Sequence, residues 1–388
     1  MTRPGLDRLA EALGADAGAA RYVGGAVRDT LLGIPVADID VATIHPPQEV
    51  VRRLQAAGIK AVPTGIAHGT VTAVAEGTVV EVTTLRRDVA TDGRHAEVAF
   101  TDDWQADAAR RDFTMNALYA DMASHRLYDH FGGITDLRAG RIRFIGDPLR
   151  RIAEDHLRIL RFFRFLARFG NAPDEAGLAA CVARANDLMA LSRERIADEL
   201  LKLLVARDAI GVLRLMIDHA IWQPVLPEFD AAGIDRLAAL VDGETAAAIA
   251  PDPIRRLAAL LDAGNAEGVT ARLKLSNAQR KRVGVALGDA TGSPLALGYR
   301  LGIEGAIDRL LLGGDPAAAA TVAGWTRPSL PLSGGALVER GLARGPDVAR
   351  ALRQVEDRWI AEGFPDAERT AAIADDVVAQ ALRATSKA

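Results

Sequence analysis

The sequence predicts an α+β fold, with a small mixed sheet and its helices first and an all-helical remainder behind it. Short β-branched runs are confined to the first third of the 388 residues. Past Asp147-Pro148 the apolar residues recur at helical spacing, and the rest of the chain is Ala- and Leu-rich with Gly and Pro punctuation. No repeat of fixed period and no low-complexity linker interrupts this plan.

The strands come from four runs: Arg21-Tyr22-Val23, Ile39-Asp40-Val41-Ala42, Thr70 to Val74 and Val79 to Thr83. Each is bounded by Gly, Pro or Asp turns. Helices are expected between them, from Ala26 to Leu32 ending at Gly33 and from Pro47 to Ala57 ending at Gly58. Asp147 is a good N-cap and Pro148 suits a first helical turn. Ile152, Ile159, Leu160, Phe163 and Leu166 then mark one helix reaching Phe169, stopped by Gly170. Breaks near Pro224-Pro227, Pro251-Pro253 and Gly292-Pro294 divide the helices that follow. The mixed module runs to roughly residue 140. The phosphate-loop-like stretch Pro331-Leu332-Ser333-Gly334-Gly335 reads as a turn before a helix.

Composition narrows the class. About half of the residues are apolar and a quarter charged, as in a globular protein. A net charge of −4 argues against a surface that grips nucleic acid all over, but permits a local basic stripe. Cys181 stands alone, which excludes a disulfide framework and a cysteine-rich zinc site. No run of about 18 apolar residues is present, so no membrane span is expected. The N-terminus shows no apolar signal stretch, and a cytoplasmic location is expected.

The chemistry starts with Asp38 and Asp40, two apart on an expected strand and so on one face of it. Neighbouring carboxylates repel unless a cation lies between them, and one or two carboxylates plus substrate phosphates is a common way to hold Mg²⁺. In two-metal sites the ions clamp the attacking and the leaving oxygen. Glu81, on the run Val79-Val80-Glu81-Val82, is the candidate third carboxylate. A bare Asp-x-Asp is also common at solvated strand ends, so its neighbours matter. Just before it, Gly24-Gly25 forms a turn between strand and helix, where backbone N–H groups can approach a phosphate. Arg28 can add a charge-assisted bond, and Asp29 is placed to brace Arg28 or the turn.

Two later clusters are basic. In Arg110-Arg111-Asp112-Phe113-Thr114-Met115-Asn116-Ala117, Arg111 can touch phosphate and Asp112 or Asn116 can bond ribose hydroxyls. A capped surface helix fits the same spacing. The helix after Pro148 carries Glu154, Asp155, Arg158, Arg161, Arg164 and Arg168, with 155, 158, 161 and 164 stepping by three along one face. A solvated face of ion pairs would look similar. The alternative has specific chemical content. Cytosine and adenine both present an amine donor beside an unprotonated ring nitrogen. Asp155 would accept from the amine while Arg158 donates to the nitrogen. Guanine and uracil reverse that polarity, and each good base contact discriminates by about 1–3 kcal/mol. One rigid Asp/Arg pair would therefore accept CTP and ATP and reject GTP and UTP.

Together, Gly-Gly-x-Val-Arg-Asp with Asp-x-Asp, Arg-Arg-Asp-Phe-Thr-x-Asn-Ala, and Glu-Asp-x-x-Arg-x-x-Arg resemble the class II tRNA nucleotidyltransferase and bacterial poly(A) polymerase family. Arg193-Glu194-Arg195-Ile196-Ala197-Asp198-Glu199-Leu200 resembles that family's last neck motif, and the motif-bearing part spans roughly residues 20–205. The resemblance implies a polymerase-β-like nucleotidyltransferase head (1–140), a helical neck that recognises the base (141–210), and a helical body and tail that bind tRNA (211–388). It implies Mg²⁺ on Asp38 and Asp40, triphosphate or ribose on Gly25, Arg28 and Arg111, base reading by Asp155 and Arg158, and further nucleotide contacts from Arg161 and Arg164. Asp129-His130-Phe131-Gly132-Gly133 falls at the family's hinge-like element. Arg86-Arg87-Asp88 to Arg94-His95 falls at its mobile loop.

Within the family, CCA addition is favoured over polyadenylation. The chain lacks a long basic C-terminal extension, and its last histidine, His219, leaves no His/Asp phosphohydrolase domain after it. The expected reaction is in-line attack of the RNA 3′-hydroxyl on the α-phosphate of CTP or ATP, with release of pyrophosphate. Two rivals stand beside it. A non-catalytic RNA-binding helical protein would not need the acid pair. A transferase acting on a small molecule would need neither the long helical half nor Asp155/Arg158.

Overall fold

The β-branched runs of the first third pair into a single seven-stranded sheet. The computed structural model describes residues 3–92 and 95–385 of the chain. In it β1 (Ala20–Val23), β2 (Ile39–Thr43), β3 (Lys60–Gly65), β4 (Thr70–Ala75), β5 (Thr78–Thr84), β8 (Leu118–Asp121) and β9 (Leu127–Asp129) take the order β3-β4-β5-β2-β1-β8-β9. β2 and β5 run parallel and the other neighbours antiparallel, which makes the sheet mixed. β6 (Arg86–Asp92) and β7 (His95–Phe100) pair with each other as a hairpin. This is the segment matched to a mobile loop, and Gly93 and Arg94 lie outside the described residues.

Four strands fall where the periodicity placed them, and the others lack its signal. β3 is a mostly exposed edge with no alternation. β8 is short and buried on nearly every residue, beside a motif that reads as helical. That motif is no helix. The helix Trp104–Ala109 stops before Arg110, Phe113 is extended, and only a short 3-10 turn spans Thr114–Asn116. The backbone is instead tied to the next segment, Thr114 N to Arg143 O at 3.0 Å and Ile145 N to Asp112 O at 3.1 Å.

The helix expected from Pro148 to Phe169 is two helices, Pro148–Glu154 and Leu157–Phe169. Asp155 breaks it in an extended conformation, φ −154° and ψ 107°. Its carboxylate accepts from Leu157 N at 3.1 Å, the local side-chain bond by which Asp competes with helical backbone pairing. Arg158 Nη1 meets the freed carbonyl of Arg151 at 2.8 Å. The second helix packs through aromatic rings. Phe113 lies 4.8 Å from Phe144 and 5.4 Å from Phe165 between ring centres, and Phe144 stacks on Phe162 at 5.6 Å. These contacts press the arginine-bearing helix against Arg110–Asn116.

The described chain forms two compact units, Met1–Phe229 and Asp230–Ala388. The second is helical. Arg255 is buried there between Glu244 at 2.7 Å and Asp308 at 2.8 Å, and Asp308 also accepts from Arg282 at 2.6 Å. Ser333 precedes the helix Gly334–Glu339, so that stretch is a turn into a helix, as read from the sequence. No described helix is long and apolar enough to cross a membrane.

Candidate active site

Strand β1 ends at Val23 and the helix Gly25–Leu31 follows almost at once. The turn depends on Gly24, at φ 65° and ψ −124°, a conformation that L side chains rarely adopt. A Cβ there would also lie 3.4 Å from Arg111 Nη1. The helix aims Arg28 into the site. Arg28 is buried, donates from Nε to Asp29 at 2.8 Å and from Nη1 to Asn116 Oδ1 at 2.6 Å, and lies 4.4 Å above the Phe169 ring. Asp29 therefore braces Arg28.

Asp40 stands in β2, directly beside Glu81 of β5 in the parallel register. Asp38 sits in the bend just before the strand, one residue short of the expected run. Asp40 is half-buried, while Asp38 and Glu81 are exposed. Burial raises the Asp40 carboxyl above its ordinary value, Glu81 and Asp38 add to this, and Arg111 opposes it. A cation on Asp38 and Asp40 would relieve that repulsion, so this donor pair fits Mg²⁺ held jointly with substrate phosphates. Among the described residues no three His, Cys, Asp or Glu side chains converge as a metal site. The structure thus offers a carboxylate pair, with Glu81 adjacent.

Arg111 is held by a residue that motif reading missed. Asp107, 1% exposed, accepts from Arg111 Nη2 at 3.0 Å, Arg110 Nη2 at 2.7 Å and the Tyr119 hydroxyl at 2.7 Å. Burial by itself would raise its carboxyl, but Arg111 and Arg110 hold it down at about 2. The signal was present in the sequence: an acid three and four residues before two arginines at the end of a helix.

The remaining polar groups form a chain across the site. Asp112 accepts from Phe113 N at 2.8 Å, Asn116 Nδ2 at 3.0 Å and Arg161 Nε at 2.8 Å. Asn116 links this carboxylate to Arg28, so Asp112 and Asn116 first of all orient arginines. Arg164 Nε donates to the buried Glu199 at 2.5 Å. Arg158 Nη1 donates to Glu154 at 2.6 Å, and Arg195 Nη2 reaches Asp155 Oδ2 at 2.9 Å. Arg195 and Glu199 belong to the last motif, whose individual roles cannot be read from spacing.

These groups surround one cleft of about 580 Å³. Gly24, Gly25, Arg28, Asp38, Asp40, Arg111, Asp112, Asn116, Asp155, Arg158, Arg161 and Arg164 all line it, joined by Arg110, Phe165 and Arg168. Asp29 and Glu81 are not among its lining residues. Seven arginines against four aspartates make the lining suited to a polyphosphate. Asp155 and Arg158 do not sit on one helical face as expected, because the helix breaks between Glu154 and Leu157. Both reach the cleft nonetheless.

Residues 20–143 match the model of the poly A polymerase head domain, and residues 172–232 that of the probable RNA and SrmB- binding site of polymerase A. The chain is 34% identical to the mitochondrial CCA tRNA nucleotidyltransferase 1 of Homo sapiens over 384 residues, covering 93% of this chain and 87% of the human protein. It is 37% identical to the CCA-adding enzyme of Anoxybacillus flavithermus over 54% of this chain and 52% of that one. Among solved structures, the Bacillus stearothermophilus CCA-adding enzyme in complex with CTP superposes with a TM-score of 0.75 at 26% identity, covering all of both chains. The Thermotoga maritima CCA-adding enzyme complexed with tRNA shares the fold with a TM-score of 0.70 at 21% identity, over 97% of this chain and 94% of that one. With its glycine turn, its Asp38/Asp40 pair and its arginine-lined cleft, the chain belongs to the family of class II tRNA nucleotidyltransferases and bacterial poly(A) polymerases.

Proposed function

We propose that this protein adds C, C and A from CTP and ATP to the 3′ end of tRNA without a template, releasing pyrophosphate. The observation that carries this reading is the cleft, in which a phosphate-binding wall and an Asp155/Arg158 pair face the same space. The similarity to CCA-adding enzymes over nearly the whole chain supports it.

Arg28, Arg111 and the Gly24-Gly25 turn hold the triphosphate. Their anchoring by Asp29, Asn116 and Asp107 means that they need little rearrangement as charge grows on the leaving group. Asp38 and Asp40 would hold Mg²⁺, which supplies a lowered pKa for the attacking hydroxyl and neutralises the phosphates. Glu81, beside Asp40, sharpens the local negative field and favours cation uptake. Asp155 accepts from the exocyclic amine of C or A, Arg158 donates to the ring nitrogen, and Arg161 and Arg164 complete the nucleotide contacts. We assign tRNA binding to the helical residues 211–388, by shape and phosphate contacts that weaken as salt rises.

The test is incubation with tRNA lacking its 3′ end, Mg²⁺, and CTP and ATP alone or mixed, followed by sequencing of the products. Addition that stops at CCA is the expected result. Open-ended A tails would make the chain a poly(A) polymerase, and tRNA bound with no incorporation would leave a binding protein.

A further inference from the structure

The helix Arg193–Leu204 carries Arg195 and Glu199 four residues apart and so on one face. Glu199 is 4% exposed and takes Arg164. Arg195 reaches back forty residues in sequence. Its Nη2 lies 3.1 Å from Asp155 Oδ1 and 2.9 Å from Asp155 Oδ2. Oδ1 also accepts from Leu157 N at 3.1 Å. An ionised carboxylate offers about four acceptor positions. The structure fills both on Oδ1 and one on Oδ2, which leaves a single acceptor position on Oδ2.

We propose that Arg195 is a positioning residue for base selection: it fixes the Asp155 carboxylate so that one defined lone pair is left to accept the exocyclic amine of C or A. This rests on the reading that Asp155 and Arg158 contact the base. The terminal torsion of an aspartate is broad, so a carboxylate without a second anchor swings and can withdraw from an incoming carbonyl oxygen. Withdrawal removes the repulsion that rejects uracil and guanine. Arg158 has its own anchors, Glu154 at 2.6 Å and the Arg151 carbonyl at 2.8 Å. Loss of Arg195 therefore disturbs the acceptor half of the pair and spares the donor half. C-over-U and A-over-G discrimination should fall together.

The experiment compares the native chain, R195M and D155A. The readouts are kcat/KM ratios for CTP against UTP on tRNA lacking its last two nucleotides, and for ATP against GTP on tRNA lacking only its last. Thermal unfolding of each variant is measured alongside. The expected result is that R195M lowers both ratios roughly tenfold and D155A lowers them at least as far. Native ratios in R195M, with eroded ratios in D155A, would overturn the role of Arg195 and leave the base-reading pair standing. Native ratios in D155A would overturn both. A merely structural ion pair lowers the unfolding temperature or the overall rate without moving the ratios. Should R195M fail to fold, R195Q is read in the same way.

Discussion

Replacing Asp107 by Asn tests whether the triphosphate wall is prepared in advance by a buried counter-charge. Asp107 meets Arg110, Arg111 and Tyr119, all within 3.0 Å, and its carboxyl is held at about 2 instead of 3.8. A carboxylate depressed this far contributes on the order of 2–3 kcal/mol to folding at neutral pH. The sign follows from the direction. The contribution is complete above the ordinary value and is lost as pH falls through about 2. D107N forfeits it and turns an amide N–H₂ toward two guanidinium groups. For a unit of this size the midpoint should drop by roughly 5–10 °C. Arg111 loses its anchor, so KM for CTP and ATP should rise together while base preference stays as it was. Calorimetry between pH 7 and pH 2 and single-nucleotide incorporation are the assays. The stability gap between native and D107N should close toward pH 2. A midpoint within about a degree of native at pH 7, with unchanged KM, would refute the argument.

Further expectations concern the same unit and the helical one. D40N should abolish incorporation yet raise the unfolding midpoint at neutral pH. The Asp40 carboxyl is raised by burial and by Glu81, so its ionisation costs folding stability, a cost absent below the unfolded value and growing as pH rises through the folded one. A lower midpoint for D40N than for native would contradict this. G24A forces a side chain into a strained backbone region beside Arg111, and should cost about 1–3 kcal/mol in urea denaturation and lower kcat/KM. In the helical unit, R255A strands the buried Glu244 and Asp308 and should cost about 3–5 kcal/mol, read by chemical denaturation. Chelation by EDTA should stop incorporation, and added Mg²⁺ should restore it.

Much of this site was legible because its chemistry is written in short motifs. Gly24-Gly25 and Asp38/Asp40 are legible as close spacings, within one turn and at the start of one strand, and the structure places both at the cleft. Arg28 and Arg111 were legible as candidate phosphate ligands, and both line the cleft. Their supports were harder to read: Asp107 shows in the spacing only as an acid three and four residues before two arginines, and Asn116 reaches Arg28 across eighty-eight positions, which spacing does not reveal. Arg110–Asn116 has the apolar phase of a helix yet folds as a turn between a helix and a strand, since its backbone finds partners thirty residues away at Arg143 and Ile145. The helix of Asp155 looks continuous in sequence because Asp and His are tolerated in helices. The break appears only once the Asp155 carboxylate takes the Leu157 N–H and Arg158 takes the loosened carbonyl.

The sequence by itself determined the order of architecture, a mixed sheet and then helices, and which groups are candidates to meet metal, phosphate and base. Periodicity and motif spacing are local properties, and local properties survive in one dimension. The tertiary structure decided which charges neutralise one another, where the arginine helix breaks, and how residues more than a hundred positions apart face one cleft. Those outcomes depend on burial and on hydrogen bonds between distant segments, which have no period along the chain.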